Sequence, residues 1–105
     1  MISVSKSEFQ RRVIPDTSPD TSYLEQRGFK KRLAAYKRGE FDFVGVRAAV
    51  DLHIPYGKGF IVQRIESPGL WGIETDSGHE YLDSVFREEC ATLTGMLAEL
   101  GVKVA

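Results

Sequence analysis

Residues 43–54, FVGVRAAVDLHI, alternate without a break. The even positions carry Val44, Val46, Ala48, Val50, Leu52 and Ile54, and the odd ones Phe43, Gly45, Arg47, Ala49, Asp51 and His53. Strand side chains point to opposite faces in turn, so this pattern predicts a long strand with one wholly apolar face and one mixed face. PYGKG, residues 55–59, follows as a glycine-rich hairpin loop, and GFIVQRIE, residues 59–66, as a second strand. The SPG step, residues 67–69, is expected to turn the chain, with Pro68 and Gly69 suited to the centre of a type II turn. LWGIET, residues 70–75, then returns as a third strand. Loops this short predict an antiparallel meander.

One helix is expected before this meander in the chain and one after it. The first spans residues 22–38 and opens on a capping box of Ser22 and Glu25. Phe29, Leu33 and Tyr36 form its apolar stripe, with Arg27, Lys31 and Arg38 pointing away. Gly28 is its weak point, marking a kink or a broken first turn, and Gly39 is placed to stop it. The second begins at Asp76 or Ser77, with Ser77 and Glu80 as a further capping box, and ends at Gly101. Leu82, Val85, Phe86, Cys90, Leu93, Met96, Leu97 and Leu100 make its stripe. Both helices are expected to cover the even face of the first strand. Residues 1–20 read as a partly flexible N-terminal arm. In it ISVSKSEF is a short strand or a short helix from Ser5 or Ser7, and IPDTSPD is a loop. The expected fold is α+β: α-β-β-β-α in one domain over residues 21–105, a three-stranded antiparallel meander with two helices on one face.

Composition sets the outer limits. A chain of 105 residues holds one domain and buries one core. No apolar run approaches the roughly 20 residues of a membrane span. The N-terminus lacks the apolar stretch of a secretory signal, and the single Cys excludes an intrachain disulfide, so a cytoplasmic protein is expected. One Cys and two His are too few for a structural zinc set. Phosphate loops, nucleophile elbows, HExxH, CxxC and dinucleotide fingerprints are absent from the sequence, and no cofactor is implied. The GKG at 57–59 reads as a hairpin tip.

Net charge is −1, yet the charges are segregated. Residues 27–38 carry six basic side chains and no acid; residues 74–89 carry six acids against Arg87. Two solvated, mutually attracting faces are the expected outcome. Among single residues, Glu89 breaks a rule, because it lies inside the apolar stripe and must find a partner there or reach the edge. Arg64, Arg47 and the basic helix are its expected partners, a perturbed carboxylate at a site being the alternative. Cys90 sits among Phe86, Leu93 and Leu97 and reads as a small core residue. Asp51 and His53, two apart on one strand face, suit acid–base work but equally describe any solvent face.

With both helices on one side, the other sheet face would be open. It would show Phe43, Arg47, Asp51 and His53, then Phe60, Val62, Arg64 and Glu66, then Leu70 and Glu74. Ile61, Ile65, Trp71 and Ile73 would point inward. Aromatics beside arginines suit protein interfaces and single-strand nucleic-acid platforms. The competing expectation is that the N-terminal arm, with Phe9, Val13 and Ile14, lies over this face as a lid. A second surface is an acidic rim of Glu74, Asp76, Glu80 and Asp83 around His79, suited to a basic partner.

The phrases DTSYLEQRGFKKRLAAYKRGEFDFVGVRA and SPGLWGIETDSGHEYL resemble those of a group of small bacterial hypothetical proteins, over about residues 16–101. The resemblance carries no catalytic residue across. Such proteins are often borne on plasmids and phages, which implies a regulator or inhibitor that works by binding. The leading expectation is therefore a non-enzymatic module that binds another protein through the open face or the acidic rim, with a homodimer as one form of that contact. The alternatives are a nucleic-acid binder using Arg27, Lys31 and Arg38, and a small enzyme using Asp51, His53 or Glu89. Asp51, Glu66 and Glu74 weigh against nucleic acid, since each repels phosphate.

Overall fold

A computed structural model describes residues 2–105. The chain runs β1 (Ser3–Val4), a 3-10 turn (Lys6–Glu8), β2 (Gln10–Pro15), a 3-10 turn (Ser22–Glu25), α1 (Lys30–Lys37), β3 (Phe43–Tyr56), β4 (Gly59–Glu66), β5 (Leu70–Glu74), α2 (His79–Glu99) and β6 (Lys103–Val104). It is an α+β fold built on a four-stranded antiparallel sheet, with β1 and β6 forming a small parallel pair.

β3 is the long alternating strand, and every other strand of the main sheet pairs with it. β2 runs along one edge, from Gln10 opposite Ala49 to Pro15 opposite Val44. On the other edge β4 pairs with residues 49–56 of β3 and β5 with residues 43–46. The meander expected from the sequence is thus corrected: β5 returns to β3, not to β4, and residues 67–69 are no turn. They are a bulge between two halves of one broken edge strand. Ser67 holds the chain against β3 here. Its N–H donates to the Ala48 carbonyl at 2.8 Å, and its Oγ accepts the Ala48 N–H at 2.9 Å, in place of a ladder carbonyl. Pro68 has no N–H to pair, and Gly69, at φ +89°, absorbs the extra length.

The helices lie on opposite faces of the sheet, which corrects the expectation of one shared face. α2 covers the even face: Val46 packs with Ile73 and Val85, and Ala48, Val50 and Leu52 pack with Leu93 and Leu97. α1 and the turn before it gather around Phe43, an odd residue, in a separate cluster with Leu24, Phe41, Leu33 and Tyr36. The Tyr36, Phe41 and Phe43 rings meet at centroid distances of 5.3–5.8 Å. The cause is local. Gly28, at φ +100°, breaks the expected first helix, and only Lys30–Lys37 remain helical. That piece is too short and too basic to lie along the sheet, so it caps the aromatic end instead.

Neither expected helix cap forms. Asp20, not Ser22, organises the first turn by accepting the Ser22 N–H at 3.0 Å and its hydroxyl at 2.7 Å. Ser77 donates its hydroxyl to the Glu74 carbonyl, and Gly78 precedes α2. A capping box does form at Ser5 and Glu8. Residues 10–15 are sheet rather than arm, and they extend the sheet sideways instead of lying over its face.

Trp71 also departs from its expected inward position. The kink at Gly72, φ +74°, keeps Ile73 inward and places Trp71 on the odd face over Gly45. A Cβ on Gly45 would stand 2.3 Å from the indole ring. Gly45→Ala should therefore expel Trp71, costing about 1–3 kcal/mol. The shift is readable as a red-shifted emission from the only tryptophan; unchanged emission and stability would contradict the contact.

Glu89 resolves differently from the expected ion pair. Its Oε1 accepts the Ser67 hydroxyl and the Gly69 N–H, both at 2.7 Å. The carboxylate within the apolar stripe is what ties α2 to the bulge. Glu89→Ala leaves both donors without that acceptor and is expected to lower unfolding free energy by about 1.5–3 kcal/mol in urea titrations. Glu89→Gln, which keeps one carbonyl oxygen, should lose less. Equal stability of Glu89→Ala and wild type would remove the clamp.

Candidate interaction surface

β2 ends opposite Ala49 and β5 reaches only Val46, so beyond these points β3 and β4 continue alone as a two-stranded hairpin. The molecule is accordingly drawn out to 59 × 21 × 20 Å, with a radius of gyration of 17.8 Å. A compact chain of this length would have about 13 Å. The even face of the hairpin is covered near its base, where Val4, Leu93, Leu97 and Val102 pack on Leu52. Towards the tip the cover ends. Tyr56 is 73% and Ile61 50% exposed on this face, and on the odd face, opposite Pro55 and His53, Phe60 is 61% and Val62 55% exposed. Ile61 was expected inward; it sits opposite Ile54 on the α2 side, but beyond the end of the core.

The backbone of the hairpin also has a fixed polarity. Tyr56 and Gly59 flank a two-residue turn in which Gly57 takes φ +59°. Such a turn closes on a hydrogen-bonded pair, so Gly59, Ile61, Gln63 and Ile65 bond inward to β3. The Ser67 N–H bonding to Ala48 continues the same alternation. The N–H and C=O groups of Phe60, Val62 and Arg64 therefore point away from β3, and among the described residues no strand pairs with them.

The odd face behind this edge is a closed polar ladder. Arg47 donates to Glu66 at 2.9 Å and to the Pro68 carbonyl at 2.9 Å, with its guanidinium 5.3 Å from the Trp71 ring. Arg64 donates to Asp51 at 3.0 Å and to Gln10 at 3.1 Å. His53 meets Phe60 edge-on at 4.8 Å. Of the expected face, Arg47, Asp51, His53, Phe60 and Arg64 do lie together. Phe43 does not: it is 1% exposed, in the core beneath α1.

The acidic rim is largely spent within the chain. Arg32 holds Asp76 through two bonds of 2.9 Å and Glu74 through one of 3.0 Å. Its guanidinium stacks 3.9 Å from Phe41. Tyr23 donates to Glu74 at 2.7 Å, and Arg11 pairs with Asp83 at 2.8 Å. His79 and Glu80 are exposed at the start of α2. The hydrogen bonds from Arg32 hold the Asp76 carboxyl below its ordinary range. Sequence reasoning missed Arg32 and Tyr23. The opposed charge runs were the available signal, but they did not say which arginine reaches across.

The remaining candidates do not converge. Asp51 is bonded to Arg64, Glu89 to Ser67 and Gly69 on the opposite face, and His53 meets Phe60 edge-on. Burial pushes the Cys90 thiol up, away from a reactive thiolate. Of the cations suggested for nucleic acid, Arg38 pairs with Glu40, while Arg27 and Lys31 are exposed. Among the described residues no cluster of His, Cys, Asp and Glu is suited to a metal, and no helix is long and apolar enough to cross a membrane. Comparison with protein families, curated proteins and solved structures gives no match.

The Tyr23 phenol has a pH signature. Burial, then the bond to Glu74, pushes its pKa from 10.0 up to about 12. The fold thus favours the neutral phenol, so this stabilisation is complete below pH 10 and is lost as pH rises towards about 12. Wild type should lose stability relative to Tyr23→Phe across that window in alkaline unfolding. Parallel curves would refute the Tyr23–Glu74 bond.

Proposed function

We propose that the chain is a non-enzymatic protein-binding module, and that its contact element is the hairpin of β3 and β4. The observation that carries this reading is the outer edge of β4. It offers three consecutive outward-facing residues, Phe60, Val62 and Arg64, flanked by exposed Ile61 and Tyr56, on an arm that stands clear of the core. Strand edges of soluble proteins are blunted by proline, lysine, bulges or a covering element. Between Gly59 and Gln63 the sequence has neither proline nor lysine, and among the described residues β4 has no bulge and no strand beyond it there. The other edge of the same hairpin is blunted: Pro55 of β3 removes an N–H there. An extended segment of a partner would add as a further strand along β4, its backbone supplying the affinity and its apolar side chains meeting Phe60 and Val62.

The polar ladder supports this reading in a second way. Arg47, Glu66, Arg64 and Asp51 neutralise one another, so the face behind the edge is stiff and carries little net field. A nucleic-acid platform would need unpaired cations in their place. The acidic rim is a weaker candidate, because Arg32 and Arg11 already occupy three of its four acids.

Phe60→Ser with Val62→Ser removes the apolar contact from a solvent-exposed arm and should leave the fold's circular dichroism unchanged. It is expected to lose partner capture from lysate of the source cells, relative to wild type and to Glu80→Ala. Capture unaffected by the hairpin changes but lost with Glu80→Ala would move the contact to the acidic end of α2.

A further inference from the structure

We infer that the strand added at this edge belongs to a second copy of the same chain. The inference rests on the reading of β4 as a strand-addition edge and names its occupant. Two copies of one edge strand pair antiparallel about a two-fold axis perpendicular to the sheet. Only registers that place outward-facing residues opposite one another are then available. Centring the axis on Val62 sets Val62 opposite Val62 of the second copy, Phe60 opposite Arg64, and Lys58 opposite Glu66.

This register is the one in which the sequence complements itself. Each Phe60 ring receives a guanidinium, and each Glu66 receives an ammonium, twice per dimer by symmetry. Glu66 spends Oε2 on Arg47, and its Oε1 lies 4.0 Å from Arg64, beyond hydrogen-bond reach and available to Lys58. Centring on residue 60 sets Lys58 opposite Val62 and Tyr56 opposite Arg64, and centring on residue 63 sets Phe60 opposite Glu66 and Val62 opposite Arg64, so neither pairs opposite charges. Moving the axis to residue 61 brings Arg64 opposite Lys58, and moving it to residue 64 brings Arg64 opposite itself. Like charges face each other in both, which disfavours them. The Val62-centred register also uses β4 along its whole length and covers Phe60 and Val62 in both copies. The result is a continuous sheet running through two hairpins, with α2 of each copy at the far ends.

The test is mass in solution by light scattering, over roughly a hundredfold range of concentration, since association follows mass action. Wild type is expected to reach twice the chain mass at the upper end. Val62→Pro removes an N–H that the hairpin itself does not use, so the fold should survive by circular dichroism while the dimer is lost. Lys58→Glu should raise the dissociation constant by roughly tenfold, two pairs being affected. Val62→Cys should cross-link on mild oxidation, and Ile61→Cys, which faces Gln63 in this register, should not. A wild type that stays monomeric throughout overturns the second-copy assignment. If the Phe60→Ser, Val62→Ser change still abolishes capture of another protein, strand addition itself stands. A dimer that Val62→Pro leaves intact overturns the assignment from the other side.

Discussion

Everything in this fold is arranged around a strand with no equal. β3 has 14 residues and, at about 3.3 Å per residue, spans about 46 Å. Among the described residues no other strand is long enough to cover either of its edges. One edge is served by β2 alone, the other by β4 and β5 in succession. Where both edges are served, side chains from two faces close on two helices. Where β2 and β5 have run out, the strand continues with a single companion, and the result is an arm. The elongation of the molecule is the arithmetic of unequal strand lengths.

Covering one edge with two strands requires a joint, and the joint is chemically demanding. Pro68 cannot donate, so Ser67 bonds to β3 with both its backbone and its hydroxyl. The bulge then has two donors that point towards α2, and Glu89 meets them. A carboxylate inside an apolar stripe is costly when unpaired; here it fixes the rotation of α2 against the sheet. At the other end, Arg32 joins α1 to the β5–α2 connection through Glu74 and Asp76. The two helices, on opposite faces with separate cores, are linked through these polar ties to the same broken edge strand.

Periodicity made the long strand, the hairpin and the α2 stripe legible, because alternation and the 3.6-residue repeat are local properties. The α+β class follows from them. Pairing was not legible. SPG suits a tight turn and a bulge equally, and only the Ser67–Ala48 and Glu89 bonds, across about 20 residues of chain, select the bulge. Alternation puts Phe43 on the face opposite Val44, but its burial depends on α1 folding over that face, which Gly28 decides. Glu89 was recognisable as an anomaly, while its partners were backbone and hydroxyl donors rather than the arginines that charge alone suggests. Of the surface, Arg47, Asp51, His53, Phe60 and Arg64 were found by alternation. Their significance lies in where β2 stops, and residues 1–20 gave no clear strand signal.

A free edge on the hairpin requires the alternation along β4: inward bonds at Ile61, Gln63 and Ile65, outward groups at Phe60, Val62 and Arg64. Residue-resolved amide exchange reads this directly. In dilute protein the N–H groups of Phe60, Val62 and Arg64 should exchange at nearly unprotected rates while those of Ile61, Gln63 and Ile65 are slowed. On raising the concentration, protection should appear at the first set alone. Uniform protection along β4 in dilute solution, or uniform exposure at every concentration, would contradict a free and pairing edge.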